Sequence, residues 1–379
     1  MLLGVRGPRV DERNAVSSQR QLTIGKPEVI AYLHHAYPLS VAAAQPAFRD
    51  DWLFNNYLQL RCQRGLVGAQ AVTEFDFYLP PTHFTSWGGV LRMAQVPPSL
   101  LWRARGEILE AIMAAIDQEF YVQVPADEFY VPRRAAYGQR HYVHELMLFG
   151  YDRQERTLDI LGFDEQHEFG AQRIAFLDLE DAVALADLSQ HYDRGGVRLY
   201  QLHQQTYPAD PTLVSEFLDD YLAAYDTSQR FRALEPVKPG YLYGMAVYEE
   251  LASFFQSVCE QPGAMDIRPL QLIWEHKRCM QLRLQRLVEL GWLASDAAHG
   301  RDYEQVIERA NSLRLLGLKY LMTNKGALLA RIAEGLRELA ELERSILTPV
   351  LSRLREKQGH LDRAGTAARP QALGPHRAV

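Results

Sequence analysis

The hydrophobic period of this chain changes at Tyr207-Pro208-Ala209-Asp210-Pro211, and that change limits the folds open to it. Upstream, short apolar runs are cut by Pro, Gly and charged turns, the pattern of strands and short helices. Downstream, apolar residues recur at helical spacing over Leu213 to Thr227, Tyr241 to Glu260, Pro269 to Trp292, Asp302 to Asn324 and Leu328 to Arg355. The expectation is an α+β domain with an antiparallel sheet over residues 22–208, followed by an all-α domain or helical cap over 209–358. Residues 1–21 and 359–379 lack periodicity and are expected to be disordered.

The upstream half centres on Ile116 to Phe176. Within it, the run from His141 through His144 to Phe149 breaks at Gly150-Tyr151-Asp152, and after a charged turn, Arg153 to Arg156, a second run from Thr157 to Phe163 ends on Asp164. This predicts a β-hairpin with His144 on one strand and Asp164 at the end of the next. Cross-strand neighbours lie close enough for Asp164 to accept a hydrogen bond from His144 and set its tautomer, while a structural histidine is the plain alternative. A histidine oriented by an acid is half of an acyl-transfer site. Around the hairpin, Arg105 to Glu119 and Asp178 to Leu188 predict helices. Phe75 to Leu79, Val90 to Val96, Phe120 to Val124 and Ile174 to Leu177 predict strands, with stops at Pro80-Pro81 and a turn at Trp87-Gly88-Gly89.

Bulk properties exclude several classes. A net charge of -6 and no Lys/Arg-rich run argue against nucleic acid as a partner. No stretch approaches the roughly 18 apolar residues of a membrane helix, and the first ten residues are too short on apolar character for a signal peptide, so the expected location is the cytoplasm. The three cysteines, Cys62, Cys259 and Cys279, have no ligand spacing. His141 and His144, three apart, fall on opposite faces of a strand. No bound metal or cofactor is expected, and no phosphate-binding glycine loop is present.

Asp50-Asp51 predicts the cap of a helix starting near residue 50 and running through Trp52 to Cys62, which makes Cys62 a packing residue well past the first turn. Asn55 and Asn56 fall near that start and are candidate polar contacts for a substrate. Asp127, Glu128 and Tyr130 place carboxylates beside aromatics, either to bind an amine or as a solvated strand end. His276 and Lys277, in the run Glu275 to Arg278, are further candidates, with a solvated helix face as the alternative. His34-His35 reads as a surface pair.

His144 with Leu146, Leu148 and Gly150-Tyr151-Asp152, and with Asp164 downstream, resembles the His and Asp/Asn segments of papain-like folds, particularly C39-type bacteriocin-processing peptidases. Trp52, Leu53, Asn55, Tyr57, Gln59 and Leu60, the run Asp127 to Pro132, Asp266-Ile267-Arg268-Pro269 and Glu275-His276-Lys277 resemble the butirosin-biosynthesis H-like proteins of nonribosomal-peptide gene clusters, over about residues 25 to 355. The resemblance implies a papain-like fold and a natural-product acyltransferase. Such an enzyme would move an acyl or aminoacyl group from the phosphopantetheine arm of a carrier protein or synthetase to a small-molecule amine, with His144 as base and Asp164 as its orienter. Papain-like enzymes carry cysteine at the first turn of a helix, where this chain has Asp51 to Asn56. That departure keeps open a non-catalytic docking protein for a synthetase or carrier, and a hydrolase using Cys62.

Overall fold

The computed structural model describes residues 17–66, 74–79, 90–190, 196–203, 207–260, 265–294 and 298–367. The expected stops at Pro80-Pro81, the turn at Trp87-Gly88-Gly89 and most of both termini lie outside these residues. In chain order the strands and helices are β1 Gln19–Gln21, α1 Leu33–Ala42, α2 Pro46–Asn55, β2 Leu60–Gln63, β3 Phe75–Phe77, β4 Leu91–Val96, α3 Pro98–Leu101, α4 Ile108–Asp117 and β5 Tyr121–Asp127. They continue with β6 Val143–Asp152, β7 Thr157–Phe163, β8 Phe169–Ala175, α5 Phe176–Ala184, β9 Val197–Leu202 and α6 Pro211–Leu222. The last are β10 Tyr241–Tyr243, α7 Val247–Glu260, α8 Arg268–Glu289, α9 Ala298–Thr323 and α10 Ala327–Ala367.

The protein is α+β, and its two units are interleaved instead of consecutive. One comprises residues 1–24 and 92–202, the other residues 25–91 and 203–379. The change of period near 207 marks the return of the chain to the second unit. The upstream segment 25–91 belongs there as well, because its short helices and strands find their apolar partners among the long helices. Residues 19–21, expected to be loose, form β1, and α10 continues past 359 to Ala367.

In the first unit the strands order β4-β9-β5-β6-β7-β8, with β1 pairing the far end of β6. Strand alternation sends Val122, Val124, Ala126, Leu146, Leu148, Leu158 and Ile160 to one face, where Ile108, Ile112 and Ile116 of α4 and Phe176 and Leu179 of α5 close the core. The hairpin forms as expected, with β7 over Thr157–Phe163 and Met147 opposite Leu161. Gly150-Tyr151-Asp152 does not end β6. A register shift between Leu148 and Gly150 absorbs the break, so pairing resumes at Gly150↔Asp159.

In the second unit, one carboxylate collects a residue from each of four other helices. Glu343 of α10 receives Lys277 of α8 at 2.8 and 2.9 Å. The hydroxyls of Tyr221 (α6, 2.7 Å), Tyr248 (α7, 2.9 Å) and Tyr303 (α9, 2.5 Å) also donate to it. Both members of the ion pair are fully buried. Burial alone would raise the Glu343 pKa, but Lys277 and His276 beside it hold it down at about 2, while burial lowers that of Lys277.

Removing one partner of this pair leaves an uncompensated buried charge, so Glu343→Gln should lose about 3–5 kcal/mol of stability in urea unfolding. Lys277→Met combined with Glu343→Leu should recover only part of that loss, because the buried hydroxyls of Tyr221, Tyr248 and Tyr303 still lose their acceptor.

Candidate active site

The first unit carries a paired histidine and acid, but not the expected pair. Beyond Met147↔Leu161 the β6–β7 pairing stops, and the carbonyl of Phe163 instead accepts from the guanidinium of buried Arg134. Gly162 permits this approach: its φ is +155°, and a Cβ there would lie 2.6 Å from Arg134 Nη2. Asp164 then turns on its own loop, with Oδ1 accepting from the N–H groups of Gln166 and Glu168 at 2.9 Å, as short acidic side chains do at turns. Its other oxygen lies 3.8 Å from Arg133. His144 faces Glu128 at 3.4 Å and Glu145 at 3.8 Å. The expected His144–Asp164 dyad is therefore corrected: the two residues have different partners.

The pair that does form is His141 and Asp127. Asp127 ends β5, where its Oδ1 accepts from the N–H groups of Phe129 at 3.0 Å and Tyr142 at 2.9 Å. Its Oδ2 meets Nδ1 of His141 at 2.6 Å. Burial raises the Asp127 pKa, but the His141 contact and the two backbone donors outweigh it and hold the carboxyl below its usual range. The Asp127 side chain is 3% exposed and that of His141 66%, so a buried anion holds an accessible imidazole. The Phe129 ring stacks on His141 with centroids 4.4 Å apart, and the Tyr130 ring lies at 5.9 Å. With Nδ1–H donating to Asp127, Nε2 is the free basic nitrogen.

Asp127 was legible as a candidate, but as an amine ligand, whereas its three bonds commit it to positioning. His141 was passed over because it was weighed only as a metal ligand. The signal was present in a strand that ends on an acid and a return strand preceded by a histidine, since the antiparallel register Asp127↔Val143 brings those ends together. Glu128, half-exposed Tyr130 and His144 lie around this pair.

The remaining candidates lie in the second unit. Pro46 at the first turn starts α2 four residues before the expected acidic cap, and the helix ends at Asn55. Asn55 and Asn56 therefore stand at its C-terminal end. Asn55 clasps the Pro208 carbonyl at 3.0 Å and the Asp210 N–H at 2.7 Å, and Asn56 donates to the Trp52 carbonyl and the Tyr207 hydroxyl. Tyr57, at φ +49°, turns the chain into β2, so Cys62 sits on a strand and not within a helix. It is a packing residue all the same, fully buried, with burial pushing its thiol up to about 12. Cys279 is buried as well, and its thiol is likewise raised by burial.

Glu275, His276 and Lys277 are buried, which corrects the solvated-face alternative. His276 donates through Nε2 to the Leu58 carbonyl at 2.7 Å and accepts from Lys277 at Nδ1, so both residues are consumed by the core and neither is open to a substrate. Glu275 accepts from the N–H groups of Ile30 and Ala31, at 2.9 and 3.1 Å, and from Gln271. Asp266 accepts from the N–H of Arg268 at the start of α8. Of the His34-His35 pair, His34 is exposed as expected while His35 is buried, and both rings bond to Asp76 of β3. Among the described residues no helix is long and apolar enough to cross a membrane. No family model and no curated protein matches this sequence.

Two outcomes are expected from this geometry. Burial pushes Glu275 up to about 7 from an ordinary 4.5, so the folded protein keeps a proton that the unfolded chain has released. Its contribution is complete below about pH 4 and is lost as pH rises to about 7, close to 3 kcal/mol over that window. Urea midpoints should fall over pH 5 to 7 in the wild type and change less in Glu275→Gln. Separately, iodoacetamide at pH 8 followed by peptide mass spectrometry should leave Cys62 and Cys279 unlabelled until the chain is unfolded.

Proposed function

We propose that the protein is an acyltransferase that moves an acyl or aminoacyl group from a carrier-bound thioester to an amine, with His141 as general base and Asp127 as its positioning residue. The observation that carries this reading is the accessible imidazole held through Nδ1 by a buried carboxylate at 2.6 Å. The substrate class rests on the resemblance to butirosin-biosynthesis H-like proteins, and with it the relation to papain-like folds.

A thioester is already activated, so the amine can attack its carbonyl directly. His141 Nε2 removes the amine proton as the C–N bond forms, and the C–S bond breaks to release the phosphopantetheine thiol, which takes that proton from the imidazolium. Asp127 steadies the imidazolium between these transfers, and Glu128 beside His144 supplies negative charge for a cationic acceptor. The two raised, buried thiols support a route without an acyl-cysteine. The same observation also favours the second reading, a docking protein for a carrier or synthetase that performs no chemistry.

Single-turnover transfer from an acylated carrier to an amine, followed by intact mass spectrometry, separates the two. His141→Ala should lower the rate about 10² to 10⁴-fold, the usual weight of a general base, and Asp127→Asn by the same amount or less. His144→Ala should act mainly on the acceptor KM. Carrier binding without transfer in the wild type, or full activity in His141→Ala, would leave the docking reading in its place.

A further inference from the structure

We propose that His34, His35 and Asp76 form a binding site for one divalent transition-metal ion of the zinc type. The histidines are consecutive residues in the first turn of α1, and Asp76 is the middle residue of β3. Nε2 of His34 lies 2.8 Å from Asp76 Oδ2, and Nε2 of His35 lies 2.7 Å from Oδ1. One donor atom from each residue falls within 4.8 Å of the other two. A tetrahedral ion with ligands at about 2.0–2.2 Å needs donors about 3.3 Å apart, so a histidine–carboxylate contact has to widen by about half an ångström while the wider separations, within 4.8 Å, close toward the same value. Two imidazoles and one carboxylate are also the donor set of open zinc sites, which leave a fourth position for water.

Two further contacts point the same way. The Tyr57 hydroxyl lies 3.1 Å from Nδ1 of His35 and so turns Nε2 toward Asp76. A phenol both donates and accepts, so its oxygen can accept a hydrogen bond from Nδ1–H when Nε2 carries a metal, the outer-shell role that ligating histidines require. The N–H of Phe77 holds Asp76 Oδ1 at 2.8 Å. His35 is buried while the His34 side chain is 50% exposed, which gives an ion a path in from solvent. Tyr32 stacks on His34 with centroids 5.4 Å apart and limits its rotation. Arg61, the cross-strand partner of Asp76, is the opposing charge; its guanidinium lies over the Tyr241 ring at 5.4 Å.

The test uses the full-length chain stripped with a chelator and titrated with Zn2+ against a chromophoric competitor, and with Co2+ in the visible range. The expected result is one equivalent of Zn2+ and a Co2+ absorption band of low-symmetry coordination. His34→Ala and Asp76→Asn should each weaken Zn2+ at least tenfold and abolish the band. His34 is half exposed, so its truncation should leave the circular dichroism unchanged and keep the comparison fair. Unaltered affinity and spectrum in His34→Ala would assign the ion to another site, and no wild-type binding at millimolar Zn2+ would reduce the cluster to a metal-free hydrogen-bonded network. Either result overturns the proposal.

Discussion

The Glu343 carboxylate is the point on which the helical unit depends. It accepts from one ammonium and three phenols, each on a different helix. An ion pair of this kind is a poor source of net stability, because desolvating both charges costs about what their attraction returns. Its effect is on arrangement. A helix shifted by one turn would strand a hydroxyl or a charge, so the network admits one alignment of α6 to α10. His276 extends that constraint to the Leu58 carbonyl ahead of β2, the middle strand of a three-stranded sheet ordered β10-β2-β3.

Carboxylates also organise the two histidine clusters, with opposite exposures. In the first unit the acid is buried and the ring is open. In the second, Asp76 collects two rings, one buried and one half exposed, and a tyrosine stands behind the buried ring. Three well-separated donors converging on a small volume make an arrangement for holding an ion more readily than for moving a proton. Each cluster lies within one unit, so each can be tested by local substitutions.

What the sequence by itself determined is what depends on neighbours along the chain. Strand alternation and the charged turn placed the β6–β7 hairpin, and the end of β7 at Phe163 was legible to the residue. Helical spacing marked α6 to α10, with the short strand β10 hidden inside one helical segment and β9 without any signal strong enough to separate it from loop. Pro46 carried the true start of α2, and the Asp50-Asp51 pair drew attention away from it. An acid-held histidine was legible as a kind of pairing near the hairpin, and the residues that form it, His141 and Asp127, were not.

Only the tertiary structure decided the partners. Arg134, distant in sequence from β7, takes the Phe163 carbonyl, ends the ladder and leaves Asp164 to its own turn. A run such as Glu275-His276-Lys277 reads as solvated because charges are costly to bury. Whether partners exist to offset that cost depends on Glu343, Leu58 and Ile30, which lie far away along the chain. The same holds for His34 and His35, whose common acid sits 41 residues beyond the second of them. Period and turn chemistry are local and can be read in order, whereas burial and pairing belong to the packed chain.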